Sequence, residues 1–560
     1  MANIVLSGLA ALGQRARARL LNQTQQADRV QTQFLRSLLK RHQDTAFGRQ
    51  YHLGDIQTID QFRQRLPLAP YTSFEPYIER MVAGEPDVLT AEPPVFFNLT
   101  SGSTGKKKLI PVTKQSRRAI ARANQAAIGF LAEALRRRGQ SFGKMLYTNS
   151  AVPFGTTASG VPYGPVSTSD LRLANFIYRQ VFAFPFEALQ IPDGQTRTYV
   201  CLLFALQQRQ LGSISATFPI LALSLAQTLE AKGDRLVHDL AQEAIAPDLK
   251  LNLALRQRLQ RQWNPAPRRA AELQQSLKQG SALTPALAWP ELRFMVTARG
   301  GTSNFYFEQF PAHFGGTPIF GGTYASAEAT FGVHRDFGTD SVLPALESGF
   351  FEFIPEDQWE VDQPKTRLPW EVTVGDRYRI VVTNYSGFYR YDLGDVVEIE
   401  GFCNLAPRFI FRHRRGGVIS ASTEKTTEFH VTQTMQRLQQ EFGVQLNNFC
   451  ITLSEDIPPH YWVNVEPVAG QAVADPARFL QRFDEVLKEV HVSYAFKRGA
   501  KLVPPPQLRI LAAGGFEQLR QRMIAQGRSP GQIKFPLVTD DRHWVAGLPV
   551  EQEVSLPVAF

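Results

Sequence analysis

The sequence predicts a two-part protein, an α/β body followed by a smaller α+β module. Three observations carry that expectation. Apolar strand-like segments alternate with amphipathic helices through most of the chain. From residue 416 onward a new helix–strand rhythm begins. The chain has 560 residues, 43% hydrophobic and 20% charged, which is the length and composition of a globular protein of several domains. Disordered, collagen-like and coiled-coil classes are excluded.

The elements follow in order. The N-terminus, MANIVLSGLAALGQRARARL, puts its arginines after the apolar stretch, whereas a secretory signal puts them before it. Residues 25–90 read as helices joined by short loops. Val95–Leu99 is an apolar strand, followed by a Gly/Ser/Thr/Lys loop over 100–108. A helix is predicted from Thr113 to Arg138, with Ile120, Ala123, Ala127, Leu131 and Ala134 on one face and Gly139 as the stop signal. The uncharged run Leu211–Leu229 contains Pro219 and polar residues, so it reads as a packed internal segment rather than a membrane span. More helix is expected over 221–280. Strands are expected at Leu292–Thr297, Thr317–Gly321, Phe350–Ile354, Tyr378–Asn384 and Asp395–Ile399. Arg412–Ser422 reads as a hinge. Beyond it come a helix at Glu424–Phe442, strands at Phe449–Leu453 and Tyr461–Val465, and a helix at Pro476–Val490. A strand at Leu508–Ala512 and a helix at Phe516–Gln526 complete the module.

Composition removes several functions. Cys201, Cys403 and Cys450 are too scattered for a disulfide framework or a CxxC metal site, which suits a reducing, cytoplasmic setting. The ten histidines form no HExxH pattern. The net charge of +10 is concentrated in Arg117–Arg138 and Arg256–Arg269, without interleaved aromatics. These read as solvated helix faces with some attraction for anionic substrates; nucleic-acid binding is the weakest reading. Two GxSxG matches, GQSFG (139–143) and GRSPG (527–531), are chance. The first has the wrong element order, and in the second Pro530 lacks the N–H an oxyanion hole needs.

Three clusters can carry chemistry. In Thr100-Ser101-Gly102-Ser103-Thr104-Gly105-Lys106-Lys107-Lys108, small residues admit an anion close to the backbone, and hydroxyls, N–H groups and lysines can hold it. It is not a Walker A loop, and a plain surface turn would read the same. Gly321–Glu328 (GGTYASAE) follows an apolar strand. Glu328 suits Mg2+, which takes one or two carboxylates plus phosphate oxygens, although in isolation a surface or helix-capping acid is the stronger reading. In Tyr389–Asp395 (YRYDLGD), Asp395 suits vicinal ribose hydroxyls or a hairpin. Lys425 and Lys534 stand in TEKT and GQIKFP contexts, where a lone lysine is ordinarily a solvated one.

The order of these clusters resembles that of the ANL adenylating enzymes, and more specifically the Gretchen Hagen (auxin-responsive) family of acyl acid amido synthetases. The resemblance runs along nearly the whole chain: PYTSFEPYIERMVAGEP (70–86), TSGSTGKKKLIP (100–111), YASAEATFGV (324–333) and FFEFIP (350–355). It continues through TNYSGFYRYDLGDVV (383–397), FRHRRGGVISASTEKTTE (411–428) and GGFEQLRQRMIAQGRSPGQIKFP (514–536). It implies an ANL-type fold with a large N-terminal ATP and acyl-substrate domain over 1–415 and a small mobile lid domain over 416–560. It also implies a reaction. With ATP and Mg2+, a carboxylic acid becomes an acyl-adenylate, and an amino-acid amine then takes the acyl group.

By the same resemblance, Thr100, Ser101, Gly102, Ser103, Thr104 and Gly105 wrap the phosphates. Thr323, Tyr324 and Ser326 meet the nucleotide, with Tyr324 near the adenine. Glu328 holds Mg2+, Asp395 binds the ribose, Lys425 and Lys534 are the catalytic lysines, and Arg414 lies in the hinge. A monomer without a membrane span or nucleic-acid partner is expected. Two departures stand out: Ala327, where relatives usually carry Ser or Thr, and Asp392, where plant members often carry a basic residue. Only the resemblance favours an amine over a coenzyme A or carrier-protein thiol, or over a silent nucleotide-binding homologue. The acyl-binding residues are not legible. Helices within 115–240, the Arg299–Thr302 turn and the aromatic stretch 175–186 are candidates, the last reading more readily as core.

Overall fold

The computed structural model describes residues 2–101, 107–173, 180–278, 282–415, 417–422, 424–526 and 533–556. It divides into two compact units. The first comprises Met1–Gly300, Phe310–Leu393 and Val397–Phe411; the second comprises Gly301–Gln309, Gly394–Val396 and Arg412–Phe560.

The first unit opens with helix Ala2–Thr24, packed along helix Lys114–Arg137. Their crossing requires glycine, because a Cβ on Gly129 would lie 2.1 Å from the Gly13 carbonyl oxygen. Thr113 caps the second helix: its hydroxyl accepts the Ser116 N–H, and Ser116 Oγ accepts the Thr113 N–H. Ala123, Ala127, Leu131 and Ala134 on its expected face are buried.

Strands β1 (Phe96–Ser101) and β2 (Lys107–Val112) form an antiparallel hairpin. Strand β3 (Met145–Leu146) starts another sheet, while β4 (Gly155–Thr156) and β5 (Pro162–Gly164) extend the first to the order β2-β1-β5-β4. Strands β6 (Ser213–Ser215), β7 (Phe294–Val296) and β8 (Ile319–Phe320) join β3 in a parallel sheet. The expected helices lie between β6 and β7, supplying the crossover that parallel pairing needs.

The alternation then stops. Strands β9 (Thr323–Ala325), β10 (Thr330–His334), β11 (Ser341–Pro344) and β12 (Phe350–Pro355) follow directly. With β13 (Arg377–Thr383), β14 (Tyr391–Cys403) and β15 (Ala406–Arg414) they make a seven-stranded sheet, ordered β12-β13-β14-β15-β11-β10-β9. A large apolar core packs with it, including Phe62, Phe74, Phe97, Phe331, Phe351 and Phe409.

In the second unit β16 (Val418–Ile419) pairs with β17 (Thr426–Thr427). A four-stranded sheet follows, formed in order by β18 (Leu446–Leu453), β19 (Tyr461–Pro467), β20 (Gln507–Leu511) and β21 (Val550–Ser555). Helices Pro476–Val490 and Val492–Gly499 make the crossover between the parallel pair β19 and β20. Asp475 caps the first of them by accepting the Arg478 N–H at 3.0 Å. Among the described residues no helix is long and apolar enough to cross a membrane.

Three expectations are corrected. The loop assigned to 100–108 is shorter, because Thr100 and Ser101 pair with Lys108 and Lys107 in the hairpin. The helix expected from Glu424 starts at Glu428, because Glu424 turns back on its own loop and Thr426–Thr427 form β17. The stretch read as a hinge begins inside β15, which runs to Arg414.

Candidate active site

In the first unit, β1 and the turn after β9 are joined by buried amides. Asn98 donates Nδ2–H to the Ala327 carbonyl at 3.3 Å, and its Oδ1 has no partner among the described residues. Asn384 donates Nδ2–H to the Glu328 carbonyl at 2.8 Å. The turn itself is built by Ser326, whose Oγ accepts the N–H groups of Glu328 at 3.2 Å and Ala329 at 3.3 Å. Such local side-chain bonds are what serine supplies in turns.

This geometry places Glu328 inside. It is 6% exposed, which removes the surface-acid alternative. Tyr391 donates its O–H to Glu328 Oε1 at 3.4 Å, and no Lys or Arg pairs with the carboxylate among the described residues. A buried carboxylate usually has a cationic or metal partner. A hard oxygen donor without a side-chain cation therefore fits a single Mg2+ shared with phosphate oxygens. No cluster of three or more metal-ligating side chains occurs among the described residues.

Tyr71, at the start of helix Tyr71–Val82, reaches β2. Its hydroxyl donates to the Leu109 carbonyl at 3.0 Å and accepts the Leu109 N–H at 3.1 Å, and Lys108 Nζ lies 5.2 Å from its ring centre. Burial pushes the phenol up to about 12, and the charges of Glu75, Glu328 and Glu79 act in the same direction. Tyr71 thus stays a neutral brace for β2.

Thr323 and Tyr324 lie on β9 rather than in a loop. The Tyr324 ring stacks on Phe331 at 4.9 Å and meets Phe411 at 5.3 Å, which leaves it half-buried. Behind them Gly321 leaves room for His334: a Cβ there would lie 2.4 Å from the imidazole. Burial pushes His334 down to about 4, so the ring is neutral packing. Of the phosphate-loop residues, Thr100 and Ser101 end β1, while Gly102, Ser103, Thr104 and Gly105 lie outside the described residues.

The YRYDLGD cluster is largely structural. Arg390, at φ 47°, forms a buried two-point pair with Glu352, Nε–Oε2 at 3.1 Å and Nη2–Oε1 at 3.2 Å. Asp392 pairs with Arg379 at 3.2 Å, which gives this departure a structural partner of its own. The Arg299 side chain, in the candidate acyl turn, is committed to Asp340 at 2.9 Å. Phe182 and Phe184 are buried and stack 5.2 Å apart as core; residues 175–179 lie outside the described residues.

The second unit brings Asp395 and Arg414 together. Asp395, buried on β14, accepts the Arg414 Nε–H at 2.5 Å, and the Arg415 N–H donates to the Gly394 carbonyl at 2.6 Å. Lys425 is exposed on a loop at φ 56°. The loop is held by its neighbour: fully buried Glu424 accepts the N–H groups of Ala421 at 2.6 Å and Ser422 at 2.9 Å, and the Tyr461 O–H. Lys534 is likewise exposed, on the segment whose Leu537 N–H reaches buried Glu428. Burial pushes the Glu428 carboxyl up, opposed first by Lys534.

Sequence reasoning missed Asn98, Asn384, Tyr391, Glu424 and Glu428. Asn98 left a signal, a polar residue inside the apolar strand FFNLTS. The glutamates left none, since each reads as an ordinary helix-start acid.

Comparison with known proteins adds a consistent set of similarities. Residues 16–319 match the GH3 family N-terminal domain, 342–414 the GH3 family central domain and 429–543 the GH3 family C-terminal domain. The chain is 27% identical to a probable indole-3-acetic acid-amido synthetase, GH3.12, of Oryza sativa subsp. japonica, covering 92% of this chain and 91% of that one. It is 25% identical to the jasmonoyl–L-amino acid synthetase JAR4 of Nicotiana attenuata, covering 92% and 91%. In structure it resembles the GH3.15 acyl acid amido synthetase, with a TM-score of 0.83 and 22% identity over 96% of this chain and 97% of the other.

Proposed function

The chain belongs to the GH3 family, and from that premise we propose that it is an ATP-dependent acyl acid amido synthetase. It would join a small carboxylic acid to AMP with release of pyrophosphate, then pass the acyl group to the amine of an amino acid. The observation that carries this reading is the buried Glu328 carboxylate, which has no side-chain cation among the described residues and lies beside a strand end. A structural acid in that position would be expected to have a positive partner; a metal-binding acid would not.

The chemistry asks for that arrangement. A carboxylate attacking the α-phosphorus approaches a polyanion, and two unit charges 4 Å apart repel by about 4 kcal/mol at an effective dielectric near 20. When bound at Glu328, Mg2+ offsets this repulsion and stabilises charge on the phosphate oxygens. In this reading Lys425 and Lys534 supply the positive charge for the five-coordinate phosphorus and the leaving pyrophosphate. The Asp395 carboxylate keeps acceptor capacity for ribose hydroxyls alongside Arg414, because a carboxylate has about four lone-pair sites. Thr100–Gly105, Thr323, Tyr324 and Ser326 complete the nucleotide contacts. Residues 1–415 are then the ATP and acid domain and 416–560 the lid, which would keep water from the acyl-adenylate. A cytoplasmic monomer using ATP and Mg2+ suits this reading; its cysteines are separate free thiols.

The test is Mg2+-dependent ATP–pyrophosphate exchange against a panel of aryl, indolyl and aliphatic acids, followed by mass spectrometry of products with amino acids or coenzyme A. Acid-dependent exchange and an amide product are expected. Exchange that ends only in a thioester would overturn the acceptor. AMP binding with no exchange for any acid would point to a silent homologue.

A further inference from the structure

In the sheet β3-β6-β7-β8 all strands run parallel, so the residues that follow them gather along one edge. Tyr147 and Asn149 follow β3, Thr217 follows β6, and the Gly321–Glu328 segment follows β8. Ligands of open α/β sheets bind outside that carboxyl edge. β3 and β8 are three strand spacings apart, roughly 14 Å.

The β3 end of this edge carries polar side chains that the candidate nucleotide contacts do not use. Asn149 donates Nδ2–H to Thr217 Oγ1 at 2.8 Å. The Tyr147 side chain engages Thr217 and Ser167, and burial pushes its phenol up to about 12. Ser167 and Asp170 are three residues apart on helix Val166–Leu173 and so share a face. The inner side of that helix is fixed separately: Thr168 donates to the Ser150 carbonyl at 2.9 Å, and Leu171 is buried. The charge of Asp170 acts on Tyr147 and on Arg117, which comes from helix Lys114–Arg137.

Asp170 is exposed to solvent, and among the described residues its carboxylate accepts no hydrogen bond and forms no ion pair. Yet burial pushes the carboxyl up to about 6, opposed by the Arg117 charge. An acid on open surface keeps its ordinary value, whereas one on the wall of a recess is reached by solvent and surrounded by protein at once.

Given adenylation of a carboxylic acid, on which this rests, we propose that Asp170 selects the acid by receiving a hydroxyl or N–H donor at the tail of the acyl group. The acid's own carboxylate then lies toward Glu328, because Asp170 repels it. The separation of the strand ends leaves room for a ring or short chain between the two groups. A hydrocarbon tail would leave the Asp170 carboxylate desolvated and unpaired, so acids of that kind are disfavoured.

Matched acids that differ by one hydroxyl provide the test: benzoate and 4-hydroxybenzoate, 3-phenylpropionate and 3-(4-hydroxyphenyl)propionate, hexanoate and 6-hydroxyhexanoate. Each is titrated calorimetrically into the full chain saturated with AMP, and kcat/KM for Mg2+-dependent pyrophosphate exchange is measured for each. In at least one pair the hydroxylated acid should be preferred about 10-fold or more in both readouts. The preference should vanish in Asp170→Ala and reverse in Asp170→Leu. The Tm of Asp170→Ala should stay near that of the parent, because no hydrogen bond among the described residues is lost. Equal affinities within every pair, no binding of any acid, or a preference that survives both substitutions would overturn the inference. An Asp170-dependent binding preference without exchange would support the Asp170 assignment and overturn the adenylation reading instead.

Discussion

The Glu428 carboxylate accepts the Leu537 backbone N–H at 3.0 Å, on the segment that carries Lys534. Its own backbone N–H donates to the Gly417 carbonyl at 3.1 Å. One buried glutamate therefore ties the stretch after Arg414 to the stretch around Lys534 within the second unit. Burial raises its pKa, opposed by the Lys534 charge, then the Leu537 N–H and the Arg414 charge.

That pairing has a pH signature. A carboxyl whose folded pKa lies above its usual 4.5 contributes stability that is fully present below that pH and is lost as pH rises through the raised value. Glu428→Gln keeps the neutral form at every pH. Thermal melts across about pH 4 to 8 should show the variant losing less stability toward neutral pH than the parent. Parallel curves would assign the titration to another group.

Glu328→Gln separates metal binding from folding. Among the described residues the carboxylate has no side-chain cation to lose, so stability should hold within about 1 kcal/mol. Mg2+-dependent exchange should fall by about 100-fold or more. A large loss of Tm with proportionate loss of exchange would make Glu328 structural.

The neighbours Glu424 and Lys425 should part in the opposite way. Glu424→Ala strands the Ala421 and Ser422 N–H groups and the Tyr461 hydroxyl, costing on the order of 3 kcal/mol in a denaturant melt. Lys425→Ala removes an exposed side chain; stability should change by about 1 kcal/mol or less while exchange drops. Equal stability in the two variants would show that Glu424 does not hold the loop.

Lys534→Ala should cut adenylation far more than acyl transfer from supplied acyl-adenylate, because the lysine's charge is needed while pyrophosphate departs. Single-turnover rates for the two half-reactions decide it. Equal losses in both would place Lys534 outside the adenylation step.

Asp395→Asn preserves shape and removes the charge that holds Arg414. If the carboxylate receives ribose hydroxyls, the KM for ATP should rise by about 10-fold or more, since bonds to a charged acceptor are worth about 1.5–3 kcal/mol each. An unchanged KM for ATP would assign Asp395 a structural role, with its pairing to Arg414.

Much of the fold was legible. Helix Pro476–Val490 begins and ends where its Asp475 cap and apolar spacing place it. Strands β12 and β13 lie within a residue of their apolar runs. The edge strand β21, VEQEVS, was not legible because it is exposed almost throughout and so shows no buried face. Helix Ala2–Thr24 was read only for what it was not. Its packing depends on the Gly13–Gly129 approach, a contact with no local signature.

The sequence alone determined the family, the order of the chemistry-bearing clusters and the residue types each step needs, since motifs and periodicity are local properties. Only the tertiary structure decided which of those residues are spent on the fold. Arg390 and Asp392 sit in the same motif as Asp395, yet Glu352 and Arg379 claim them. Glu328 and Glu424 both stand in or beside motif stretches, yet one is buried beside Tyr391 without a side-chain cation among the described residues and the other is claimed by the Tyr461 hydroxyl. The difference is one of partners brought from distant parts of the chain, and partners at that distance are set by packing rather than by spacing.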